Sequence, residues 1–171
     1  MALTNLLLAR FSGGPYYVKM SRNRLSVRDV ASGGYFDDEP LVAISQSTPP
    51  QVEAIGASAR TVSSITVNPF SHPRVFVENF LVAEKVLAYA FKIVSGNKPF
   101  RVRPVVVAHV VENLDGGLTE IEYRVLHELF ENVGARKTYF WEGRELTDDE
   151  LRSGAYRDSG GTSTFSKIRR T

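Results

Sequence analysis

Apolar positions recur along the chain with two different periods. Over Asn79–Val94, the residues Phe80, Ala83, Leu87, Ala90, Phe91 and Val94 follow the i, i+3, i+4, i+7 rule and predict an amphipathic helix. Ser95-Gly96-Asn97 ends it, with Gly96 suited to a left-handed cap. A second helix is predicted over Glu120–Val133. Ile121, Val125, Leu129 and Val133 share one face, and Leu126 and Phe130 widen it. Thr119 followed by Glu122 reads as a capping box at its start, and Gly134 closes it. A short capped helix runs from Thr147 through Leu151. Strands are predicted at Tyr16–Met20, Leu25–Val30, Leu41–Gln46, Val52–Ile55 and Lys137–Trp141. Val105–Val111 is almost continuously apolar and β-branched, the pattern of a strand covered on both faces. Asn23-Arg24 fits a hairpin turn, and Gly33-Gly34 with Asp37-Asp38 marks a loop. Meander strands followed by alternating strands and helices predict an α/β fold: a mixed sheet with flanking helices.

Three stretches follow from this pattern. Residues 1–14 form an N-terminal amphipathic segment, residues 15–154 the folded domain, and residues 155–171 a disordered basic tail. There is no internal repeat. The chain has 171 residues and 43% apolar residues, enough for one domain with a real core. With no Cys, disulfides, thiolate metal sites and cysteine nucleophiles are excluded. No apolar run reaches the roughly 18 residues of a membrane-spanning helix, and no export signal is recognisable, so the expected location is the cytoplasm. The net charge of +2 is uneven. Arg157–Thr171 holds Arg157, Lys167, Arg169 and Arg170 against Asp158 alone, leaving the body slightly acidic. By charge, the body is no nucleic-acid-binding surface.

Candidate chemistry is sparse. His72, His109 and His127 lack metal-ligand spacing; His109 reads as a core or strand-end residue and His127 as the polar margin of its helix. No GxSxG elbow occurs. Asp148, Asp149 and Glu150 suit a helix start. Tyr16, Tyr17, Tyr35 and Phe36 form either an exposed aromatic patch or edge-strand packing.

Several segments, taken in order, resemble the MreB/actin-like family. Glu39-Pro40-Leu41-Val42-Ala43-Ile44 resembles that family's third strand and its lead-in, and Val52-Glu53-Ala54-Ile55-Gly56 the segment that follows. Val77–Leu87 (VENFLVAEKVL) is similar to the first long helix of the family's domain IA. Thr119–Arg124 (TEIEYR) resembles the start of the second, and Gly134-Ala135-Arg136 with Tyr139–Glu142 a strand ending in Glu. The resemblance covers about residues 11–154 and implies the RNase H-like fold of an isolated domain IA.

It also implies where ATP would bind. The family cradles phosphates on an Asp-x-Gly-Thr turn between its first two strands, where glycine opens the backbone amides to an anion. The matching positions here are Lys19, Ser21 and Arg22: a cation replaces the acid and a side chain replaces the glycine. Glu142 falls where the family places a Glu that positions the attacking water, but Gly143 and Arg144 depart from its pattern. The residues after Glu142 are too few for the family's second phosphate loop and adenosine-binding half, and Gly160-Gly161-Thr162 echoes such a loop only superficially. The expectation is therefore a non-enzymatic cell-shape or cytoskeleton-related interaction module that has lost ATP binding. It has no cofactor and no metal, and its partner is a protein or another copy of itself. Two alternatives stand. One is a nucleotide-binding ATPase subunit that completes its site in an oligomer through Lys19, Ser21, Arg22 and Glu142. The other is a regulatory domain sharing only the fold.

In this family a short amphipathic helix can precede the first strand and bind membrane. Leu3, Leu6, Leu7 and Phe11 share one face at that place, with Arg10 the cation available beside them. Either this face makes a weak contact with the inner-membrane surface, or it covers an open end of the domain's own core.

Overall fold

The computed structural model describes residues 14–96, 103–112 and 117–157. Its main sheet has five strands: β1 (Tyr16–Met20), β2 (Leu25–Asp29), β3 (Tyr35–Asp38), β7 (Val105–Val110) and β8 (Lys137–Trp141), in the order β3-β2-β1-β7-β8. A smaller sheet holds β5 (Val52–Ile55), β4 (Val42–Ile44) and β6 (Ile65–Val67) in that order. The helices are α1 (Phe80–Ser95), α2 (Glu120–Asn132) and α3 (Asp148–Ser153). β1 pairs antiparallel with β2, and β2 with β3, whereas β1, β7 and β8 run parallel. The mixed α/β architecture agrees with the one the pattern predicts.

Alternation along β1 sorts the two faces of the sheet. Tyr16, Val18 and Met20 point to one side with Leu25, Val27, Phe36, Val106, Ala108 and Phe140, and α1 and α2 cover them. On that side Val86, Leu87, Ala90 and Phe91 of α1 and Leu126, Leu129 and Phe130 of α2 complete the core. A fully buried aliphatic or aromatic side chain of this kind contributes about 1.5–3 kcal/mol. Tyr17 and Val107 point to the other side, against Leu146, Leu151 and Tyr156. The helix starts are held as their sequence demands. Asn79 accepts the Val82 N–H at 3.1 Å, and Thr119 with Glu122 and Thr147 with Glu150 each form a complete capping box.

Three expectations change. The third strand of the main sheet is Tyr35–Asp38, not Leu41–Gln46; Val42–Ile44 instead centres the smaller sheet. The acidic end of β3 reads as a loop in sequence, yet its carboxylates have partners. Arg24 donates to both oxygens of Asp37 at 2.7 and 2.9 Å, and the Ala57 N–H donates to Asp38 at 2.9 Å. Ala155–Arg157, assigned to the tail, form a single 3₁₀ turn, with Tyr156 buried against the ring of Tyr139 at 5.1 Å. Tyr16, Tyr17 and Phe36 are buried and Tyr35 is exposed, so these residues pack rather than form a patch. The expectations for Leu3, Leu6, Leu7 and Phe11, and for the tail beyond Arg157, lie outside the described residues.

Candidate functional site

Because β1, β7 and β8 are parallel, their carboxyl ends open on one edge of the sheet. That edge is where α/β folds place ligands. A cleft of about 530 Å³ lies there. Its walls include His109, Glu112, Tyr123, Trp141, Glu142 and Glu145, with apolar surface from Val111, Leu118 and Phe140. Among the described residues three carboxylates line it, and no Lys or Arg does so.

Of the four positions matched to the family's ATP site, only Glu142 belongs to this wall, which it shares with His109; Lys19, Ser21 and Arg22 lie beside it on β1 and its hairpin. Lys19 Nζ stands 2.7 Å from Oε1 of Glu145, an exposed pair that holds the Glu145 carboxyl below its ordinary range. Ser21 is spent on the turn itself: its N–H donates to the Arg24 carbonyl at 2.8 Å, and its Oγ accepts from the Arg24 N–H at 3.0 Å. The Arg22 N–H donates to Glu112 at 2.8 Å, and its Nε lies 3.4 Å from the same carboxylate. The Arg22 guanidinium also donates to the His72 and Pro73 carbonyls, while the Asn68 amide donates to the Arg22 carbonyl at 2.8 Å. The hairpin is thus filled by its own side chains and tied to the loop before α1.

Glu142 accepts a hydrogen bond from the Tyr123 hydroxyl. Burial, then this bond and the charge behind it, push the Tyr123 phenol far above its usual range. His109 is buried at the end of β7, 2.7 Å from the Tyr17 hydroxyl. Burial lowers its pKa below the ordinary 6.5, opposed by a backbone hydrogen bond at Gly143 and by the charge of Glu145. Among the described residues no three His, Asp or Glu side chains gather closely enough to hold a metal ion, and no helix is long and apolar enough to cross a membrane.

Glu112, Tyr123 and Glu145 carry no sequence signal for the cleft. Glu145 meets Lys19 across 126 positions and Glu112 meets Arg22 across 90, so no local motif announces either. The one usable signal is topological: each residue lies at or just past the end of a parallel strand, or on the helix packed beside one.

No family model matches the chain, and no curated protein does. Among solved structures it is similar to MreB5 of Spiroplasma citri bound to ADP, with a TM-score of 0.57 and 15% identity over 75% of this chain and 38% of that one. It is also similar to MreB5 of Spiroplasma citri bound to AMPPNP, with a TM-score of 0.58 and 15% identity over the same shares. The chain therefore spans well under half the length of these proteins, and the fold it shares with them is MreB/actin-like.

Proposed function

We propose that this chain is a non-enzymatic interaction module on the MreB/actin-like fold, related to cell-shape and cytoskeletal proteins, that does not take ATP. The observation that carries this reading is the state of the hairpin after β1. A phosphate turn needs free backbone amides converging on an anion. Here the Ser21 and Arg22 amides are already given to Arg24 and Glu112, and the Arg22 guanidinium is turned onto the His72 and Pro73 carbonyls. Lys19 stands where the family's acid would help hold hydrated Mg²⁺, and its charge is directed at Glu145. Three carboxylates in the adjoining cleft oppose a triphosphate further. The residues present do not fit ATP·Mg²⁺, and no chemical step is assigned to them.

On this reading the working surfaces are the exposed faces of the domain, and the partner is a protein or another copy of the chain. The location on this reading is cytoplasmic, and Leu3, Leu6, Leu7 and Phe11 either make a weak contact with the inner-membrane surface or cover the domain's own core. Isothermal titration of the full chain with ATP and Mg²⁺ tests the central point. The expected result is no saturable heat. Saturable binding overturns the reading in favour of a subunit that completes its nucleotide site in an oligomer.

A further inference from the structure

The cleft at the carboxyl ends of β7 and β8 combines two features that suit one kind of ligand. Its lining includes the aromatic residues Tyr123, Phe140 and Trp141, a class of side chain that attracts cations, and the carboxylates Glu112, Glu142 and Glu145, which offer charge. Glu145 and Glu112 already face Lys19 and Arg22, but Glu142 meets a hydroxyl, and among the described residues no ion pair reaches it. Such a wall fits a Lys- or Arg-bearing segment of polypeptide.

The chain carries that segment itself. Residues 158–171 hold Lys167, Arg169 and Arg170 against the single acid Asp158. The described chain leads into them beside the cleft: Tyr156 packs on Tyr139, two residues along β8 from Trp141. From Arg157, an extended chain reaches up to about 33 Å by Lys167. We infer that residues 158–171 dock in cis, placing Lys167, Arg169 or Arg170 against Glu142 and the ring of Trp141. This rests on the reading that no nucleotide fills the cleft.

Trp141 is the one tryptophan of the chain and lines the cleft, so its emission reports occupancy directly. In the full chain, raising NaCl from about 20 mM to about 500 mM screens the contact and should shift that emission. The variant K167Q/R169Q/R170Q should show the high-salt emission at both salts. A synthetic peptide of residues 158–171 added to this variant should restore the low-salt emission saturably, and Glu142→Gln placed in the variant should weaken the peptide about tenfold. Identical emission of both proteins at both salts, with no response to peptide, overturns the inference. A shift that grows with protein concentration also overturns it, because the segment then docks in a second copy. ATP·Mg²⁺ titrated into the same variant keeps the two readings apart: saturable binding sinks the proposed function, whereas an unresponsive Trp141 sinks the docking alone.

Discussion

The hydroxyl of Tyr17 lies 2.7 Å from Nδ1 of the buried His109, and the same oxygen accepts the Leu146 N–H at 3.2 Å. The hydroxyl and Nδ1 share one proton, and the imidazole tautomer sets which of the two donates. One phenol thus joins β1, β7 and the loop after β8 behind the cleft. Tyr17→Phe leaves the buried Nδ1 and the Leu146 N–H without this partner and should cost about 1–3 kcal/mol. Equilibrium urea unfolding checks this, and a change under a few tenths of a kcal/mol would remove the network from the account.

The same site predicts a pH dependence. Because burial holds folded His109 below 6.5, the unfolded chain binds a proton in that region that the folded chain refuses. Stability is therefore full above pH 6.5 and declines as the pH falls below it. The lowered carboxyls of Glu122 and Glu145 act in a separate window, below their ordinary 4.5. The urea midpoint should drop between pH 7.5 and 5.5, and His109→Gln should flatten that slope. An equal slope in the variant would assign the effect elsewhere.

Arg22 and Lys19 stand close in sequence and differ in what they hold. Lys19 makes one exposed ion pair, the kind that contributes about 0–1 kcal/mol. Arg22 joins its hairpin to the loop before α1 and to Glu112. Arg22→Ala should lower stability by about 1–3 kcal/mol, and Lys19→Ala by less than about 1 kcal/mol. Equal losses in thermal or urea unfolding would contradict the assignment of Arg22 as a structural clamp.

Glu122 serves two segments at once. Its carboxylate accepts from the N–H and hydroxyl of Thr119 and, at 2.8 Å, from the N–H of Phe76. Burial raises its pKa, but these bonds together hold it lower than usual. Glu122→Ala should remove a cap contribution of about 1 kcal/mol and speed exchange of the Phe76 amide proton by at least several-fold. An unchanged Phe76 exchange rate would show that the bond does not persist in solution.

A membrane role for Leu3, Leu6, Leu7 and Phe11 predicts that the full chain sediments with anionic liposomes and that a chain lacking Met1–Phe11 does so less. Equal sedimentation of the two would end the membrane reading.

Elements with strong periodicity were legible in sequence: α1, α2 and β7 stand within a residue or two of their predicted bounds. The capping box at Thr119 and the cap at Thr147 were legible because their partners lie within four residues; the structure completes the second as a box with Glu150. β3 was not. It contributes one inward apolar residue, Phe36, and its acids are stabilised by Arg24 and by the turn after β5, contacts that only the fold creates. β6 is three residues long with two of them exposed, too short to establish a period. Of the cleft's titratable residues, Glu142 was legible through the family resemblance and His109 as a core or strand-end residue; Glu112 and Glu145 became recognisable once the parallel strands were aligned.

The placement of β1 between β2 and β7 sets the order in which the molecule can assemble. Its antiparallel partner follows after a tight hairpin, so the three-strand meander closes early as the chain leaves the ribosome. Its other flank must wait until residues 21–104 have been made, because Val18 pairs with Ala108. Throughout that interval the middle strand of the finished sheet is an open edge, able to recruit a foreign strand. Synthesis speed over this stretch therefore bears on how much of the protein reaches its native state.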